Sequence, residues 1–118
     1  MSTSASYLAY VTDLLAPLVA LRTKRMFGGV GIYAGEFFFA LIDSGDTLYF
    51  KVDGENIALF AGRGLRTFMN SNYYEAPAEV LEDPQLLREY TERSVAAAQR
   101  AAANKPRPKR RPLPKQDT

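Results

Sequence analysis

The sequence predicts an α+β domain: a five-stranded, largely antiparallel sheet with flanking helices, two layers in the order α-βββ-α-ββ-α. Three observations lead there. Apolar residues recur at helical spacing near both ends of residues 1–104. The middle holds runs of β-branched and aromatic residues. Short turn-forming stretches separate those runs, so neighbouring strands should pair antiparallel. One sheet covered by helices on one face is the natural arrangement for such a set.

Tyr7, Leu8, Val11, Leu14, Leu15 and Leu18 define the first helix. Ser4 or Ser6 can cap it. Pro17 lacks a backbone donor and should end or kink it near Ala16. From Arg22 the pattern turns strand-like, and the stretch through Tyr33 reads as one long strand bent at its glycines. "EFFFALI" is a continuous apolar run with strand chemistry, and "DSGD" is a turn by composition. "TLYFKV" alternates Leu48, Phe50 and Val52 with Tyr49 and Lys51, the pattern of a half-buried strand.

Asp53 can cap a short helix over "GENIALFAG", with Ile57, Phe60 and Ala61 on one face and Gly62 closing it. "TFM" and "YYEA" flank "NSN" and read as a hairpin, stopped by Pro77. "AEVLED" fits a single helical turn. Asp83-Pro84 then starts the last helix, with Asp as cap and Pro in the first turn. Its apolar spacing runs through Leu86, Leu87, Tyr90, Ser94, Ala97 and Ala98, and it should fray before Asn104. Residues 1–103 are thus expected to form one domain, and residues 104–118 a disordered basic arm rich in proline.

Composition narrows the chemistry. The chain of 118 residues has no Cys and no His. Disulfides, thiolate nucleophiles, imidazole bases and the usual zinc and haem ligands are therefore excluded from this chain. No apolar run approaches the roughly 20 residues of a membrane span, and "MSTSASYLAY" lacks the basic and apolar regions of a secretory signal. A cytoplasmic location with no membrane contact is expected. The carboxylates Asp43, Asp46, Asp53, Glu55, Glu82 and Asp83 sit at turns and helix starts, where capping accounts for them. No catalytic residue, cofactor or metal is expected.

The glycines pose the sharpest question. Gly29-Val30-Gly31-Ile32-Tyr33-Ala34 satisfies the G-x-G-x-x-G/A spelling of a dinucleotide loop. Such a loop needs a strand before it and a helix N-terminus after it. Here a helix and a basic pair precede, and aromatic strand residues follow. Small-ligand or nucleotide binding at this bend is the weaker alternative. The better reading is backbone geometry: Gly28-Gly29 permit a positive φ or a bulge, and Gly31 leaves room for something to lie against the strand. Tyr73 and Tyr74 are adjacent in a strand, so they should point to opposite faces.

Charge is uneven. Lys105, Arg107, Lys109, Arg110, Arg111 and Lys115 stand against Asp117 in the last 14 residues, a net of +5. Residues 1–104 hold nine basic and twelve acidic side chains, a net of −3. The arm reads equally as a solvated tail or as a nucleic-acid-binding arm acting by phosphate neutralisation. The second reading implies salt-sensitive binding that disappears when residues 105–118 are removed.

Three phrases, "KRMFGGVGIY", "FFALIDSGDTLYFKVDGEN" and "YYEAPAEVLEDPQLLREYTERSVAAA", resemble the TfoX/Sxy family's N-terminal domain over about residues 5–100. The resemblance implies a five-stranded antiparallel sheet with helices. It also implies a non-enzymatic role in regulating bacterial competence and DNA-uptake genes, alongside a cyclic-AMP-responsive transcription activator. Full-length regulators carry a second, helical domain after this one; here the basic arm stands in its place. A position occupied by Trp in the family's last helix is Tyr90. The family offers no catalytic residues. Arg25, Met26, Phe27, Gly28 and Gly29 carry over as a recognisable motif. With Tyr73 and Tyr74 they form the candidate protein-contact surface. A protein partner is expected, on a monomer or weak homodimer whose free sheet edges allow strand pairing.

Overall fold

The computed structural model describes residues 3–26 and 28–104. Helix α1 spans Ala5–Leu15. The Ser4 hydroxyl caps it, accepting from the Tyr7 N–H at 3.2 Å. The segment before it is pinned as well. The Ser4 N–H donates to Asp46 Oδ1 at 2.9 Å, and the Thr3 hydroxyl donates to the Asp43 carbonyl at 2.9 Å.

Five strands follow: β1 Leu21–Met26, β2 Gly29–Ala34, β3 Phe37–Ile42, β4 Leu48–Lys51 and β5 Tyr73–Glu75. They form one antiparallel sheet in sequential order. The α+β class and the five antiparallel strands are as expected, but the strands divide differently. Residues 22–33 are not one bent strand. They are the β1–β2 hairpin, because Gly28 takes φ +76° and reverses the chain. "TFM" is reduced to a single bridge from Thr67 to Tyr74. Met69 and Asn70 both adopt positive φ there, which spends the would-be strand on the turn.

The expected middle helix is only a 3-10 turn, Ile57–Leu59. Asn56 explains why. Its side chain is fully buried, accepts the Asp53 N–H at 2.7 Å and donates to the Lys51 carbonyl at 3.0 Å. That closes a tight turn where a helix would have to start. Ala78–Glu82 is a second 3-10 turn, as the sequence suggests.

Helix α2 runs Pro84–Asn104. Asp83 Oδ1 accepts the N–H groups of Gln85 and Leu86 at 3.0 and 3.3 Å. The helix does not fray early. Ala97 and Ala98 are buried, good helix formers fill the last turns, and Arg100 ties that end to the β4–turn junction. Arg100 Nε lies 2.7 Å from Asp53 Oδ2 and its Nη2 lies 2.9 Å from Oδ1, a bidentate pair.

That pair makes stability depend on pH. The Arg100 hydrogen bonds hold the Asp53 carboxyl at about 2, below its ordinary value. A carboxyl lowered in the folded state contributes stability above its unfolded pKa and loses it as pH falls through the folded one. Because the pair is about a third exposed, roughly 1 kcal/mol is expected after screening. Urea titrations at stepped pH should show wild type losing about that much more than Asp53→Asn between about pH 4 and pH 2. Equal acid sensitivity in the two proteins would remove the pair from the stability account.

The strand register sorts side chains onto two faces. Ile32, Ala40, Phe50 and Tyr74 share one face, under the helices. There Val11 and Leu15 of α1 and Leu87 and Tyr90 of α2 complete the core. One irregularity decides the other face. Ile32 pairs with Ala40 but Tyr33 pairs with Phe38, so Phe39 is the extra residue of a β-bulge. Phe39 and Ala40 are both fully buried, and Phe39 faces the Phe50 ring at 6.5 Å. The bulge is why "FFFALI" reads as continuous apolar sequence. It also delivers Phe38 to the face away from the helices.

Candidate interaction surface

The helix-free face carries Met26 from β1, Gly29, Gly31 and Tyr33 from β2, Phe38 and Leu41 from β3, Tyr49 and Lys51 from β4, and Tyr73 from β5. Phe68 and Ser71 rise beside it from the loop before β5. Together they enclose an apolar pocket of about 150 Å³, lined chiefly by Met26, Gly29, Phe38, Leu41, Phe68 and Tyr73. An apolar cavity of about that volume accepts a benzene-sized ring.

Gly29 lines the pocket, and Gly31 lies two residues along on the same face of β2. A Cβ on Gly29 would lie under 3.0 Å from the Ile42 carbonyl oxygen and 3.1 Å from Asp43 Cα, so β2 and β3 approach there only without a side chain. Gly31 is covered by the Met26 side chain. A Cβ there would collide with Met26 Cε and meet Phe38 Cε1 at 3.1 Å. The room that Gly31 leaves against the strand is taken by a methionine from the neighbouring strand. Thioethers adapt to irregular apolar partners, and such residues recur at promiscuous binding surfaces.

Aromatic rings line one side. Tyr33 and Phe38 stack at 5.1 Å between centroids, and Phe38 and Tyr73 lie 5.1 Å apart, tilted by 34°. The Tyr73 hydroxyl donates to the Phe38 carbonyl at 3.2 Å, and burial pushes its pKa well up, so it stays a neutral donor. On the other side the Tyr49 hydroxyl donates to Asp43 Oδ2 at 3.0 Å, and its ring meets Phe68 edge-on at 5.5 Å. Cations frame the row: the Arg22 guanidinium stands 5.8 Å over Tyr33 and the Lys51 ammonium 5.0 Å over Tyr73. At the loop tip Met69 is 77% exposed.

Of the residues singled out from sequence, Met26, Gly29 and Tyr73 meet around this pocket, with Gly28 in the turn at its end. Two do not join them. Arg25 pairs with Val30 on the opposite face and is exposed. Tyr74 lies opposite Phe50 and packs on Phe60 at 5.9 Å, so it belongs to the core. Their neighbours in sequence sit on the other face by strand alternation. Phe27 and the six basic residues Lys105, Arg107, Lys109, Arg110, Arg111 and Lys115 lie outside the described residues. Phe38, Leu41, Phe68 and Ser71 were missed by sequence reasoning. The unbroken apolar run around Phe38 was the one available sign of a bulge.

Phosphate binding finds no support in this geometry. Among the described residues no group of three or more acidic side chains could hold a metal. The glycines occupy a hairpin turn and a strand, with no helix N-terminus after them, and Gly29 faces a carbonyl oxygen. A phosphate would meet an acceptor there, not donors. Among the described residues no helix is long and apolar enough to cross a membrane.

The family model described as TfoX N-terminal domain matches residues 13–98, well over half of the chain, and the chain belongs to that family. The TfoX N-terminal domain is not a known enzyme family. Comparison with curated proteins gives no match.

Proposed function

We propose that this TfoX N-terminal domain is a non-enzymatic regulatory module that binds another protein through the helix-free face of its sheet. The observation that carries the reading is the apolar pocket between Met26, Phe38, Phe68 and Tyr73. A concave apolar site sized for one aliphatic or aromatic side chain is the usual seat of an interface anchor. The absence of His and Cys argues in the same direction. The family supports the finer proposal that the partner belongs to transcriptional control of competence and DNA uptake in a bacterial cytoplasm, a transcription activator being the first candidate.

Met26→Lys tests this. Met26 is half-buried at the pocket's rim, so the variant should fold, as its circular dichroism and amide spectrum can verify. Quantitative affinity capture from the native cell should show at least one partner held by wild type and reduced about tenfold or more by the variant. A partner set identical for the two proteins would sink the pocket reading. The basic arm supports a second reading, nucleic-acid binding with the domain as carrier, on the +5 net charge of the last 14 residues.

A further inference from the structure

We infer that the outer edge of β1 is a docking strand for an extended segment of another protein in which acidic and apolar residues alternate. The inference concerns a surface separate from the pocket and does not depend on what fills it.

The sheet has two edges, and they are treated differently. The β5 edge is covered: the Glu75 N–H donates to the Arg66 carbonyl at 2.8 Å, the Phe68 N–H donates to the Tyr73 carbonyl at 2.8 Å, and Thr67 bridges to Tyr74. The β1 edge is bare among the described residues, since β1 ends the sheet order. It is also twice as long, and its four central residues are exposed. The Gly35 N–H bonds the Ala20 carbonyl at 2.8 Å. By antiparallel alternation, the N–H and C=O groups of Leu21, Thr23 and Arg25 therefore point away from the sheet.

A charged edge is a common guard against aggregation, and Lys24 alone would satisfy that role. Two further features go beyond guarding. First, α1 does not close over β1. A groove of about 410 Å³ lies between them, lined by Ala5, Leu8 and Ala9 on the helix and Leu21, Thr23 and Arg25 on the strand. Alternate side chains of an added strand would enter that groove, which is how strand addition gains specificity. Second, Arg22, Lys24 and Arg25 make no ion pair with a carboxylate among the described residues. Arg22 and Lys24 are on the face away from the groove, so acidic residues in the incoming strand belong opposite them, between the apolar ones. The same charges disfavour a second copy, because pairing β1 with itself sets cation against cation.

The test is made on the full chain. A Glu-Val-Glu-Val-Glu segment is joined to the N-terminus by a flexible Gly/Ser linker, which raises its local concentration to about the millimolar range. Amide exchange at Leu21, Thr23 and Arg25 is then followed by NMR. The expected result is about tenfold slower exchange at those three amides, weakened by salt. The effect should vanish with Lys-Val-Lys-Val-Lys and in the doubly substituted Arg22→Glu, Lys24→Glu chain, whose spectrum reports its folding. No protection, or equal protection by both segments, overturns the inference. So does concentration-dependent protection in the unfused chain, which would assign the edge to a second copy. Shifts of the β1 amides by DNA without any response to the acidic segment would assign it to nucleic acid and overturn it equally.

Discussion

Gly29→Ala should cost more than about 3 kcal/mol and leave the protein largely unfolded under mild conditions, a large share of a typical domain's roughly 5–15 kcal/mol. The reason is steric and backbone-bound. The added methyl would lie under 3.0 Å from the Ile42 carbonyl oxygen, with Ile42 C and Asp43 Cα both at 3.1 Å. None of these is the movable end of a side chain. Val30 pairs with Ile42 one residue further on, so relief requires prising β2 from β3 where β2 begins and β3 ends, against the Val30–Ile42 pairing. Positive φ plays no part at Gly29, in contrast to Gly28 next to it. Gly31→Ala is the control. Its methyl would meet the Met26 thioether and the Phe38 ring edge, and Met26 can swing outward. A loss on the order of 1 kcal/mol is expected there, although the displaced Met26 should alter the pocket. Urea midpoints of the two variants decide the matter. Similar losses would show that the close approach to Ile42 is not what demands a glycine.

The contrast between these glycines also shows what could be read from sequence. Both helix starts were legible because their signals are local: Ser4 caps α1, and Asp83-Pro84 opens α2. The shared facing of Leu48, Phe50 and Val52 was legible for the same reason, as was the opposition of Tyr73 and Tyr74; but β4 is not half-buried, because Phe68 covers Tyr49 on the other face. The β1–β2 hairpin was not, because a tight reversal at Gly28 and a bend in one long strand use the same residues. Nor was the loss of the middle helix, which depends on where the Asn56 amide is buried. The pocket is harder still. Phe38 reaches it through a bulge and Phe68 through a loop that folds back along β5, and neither leaves a periodic trace. Met26 and Gly29 drew notice as family motif residues, and their shared location followed only from the register of β1 on β2.

Phe50→Ala should destabilise by about 3–5 kcal/mol, lowering the melting temperature by something on the order of 20 °C in a domain this small. Phe50 is fully buried and joins three separate parts of the fold. Its ring lies 6.5 Å from Phe39 at the β3 bulge, 6.5 Å from Phe60 after the 3-10 turn, and 6.3 Å from Tyr90 on α2. A cavity costs less when its walls can collapse, and these walls are held. The Tyr90 hydroxyl donates to the Leu59 carbonyl at 2.7 Å, which fixes that ring against the turn. Phe39 is fixed by the bulge, because turning it away would shift the Tyr33–Phe38 pairing. Releasing one wall should therefore reduce the penalty. In a Phe50→Ala, Tyr90→Phe double variant the hydroxyl anchor is gone, and the two losses should sum to more than the measured total. Additive losses, or a cost below about 2 kcal/mol for Phe50→Ala alone, would mean the core relaxes freely. The helix-free face supplies the functional control. Phe50 points away from the Met26–Tyr73 pocket, so below its melting temperature the variant should still bind whatever partner Met26→Lys loses. A Phe50→Ala chain that is folded yet fails to bind would show that the two faces are coupled through β3, with the Phe39 bulge as the link.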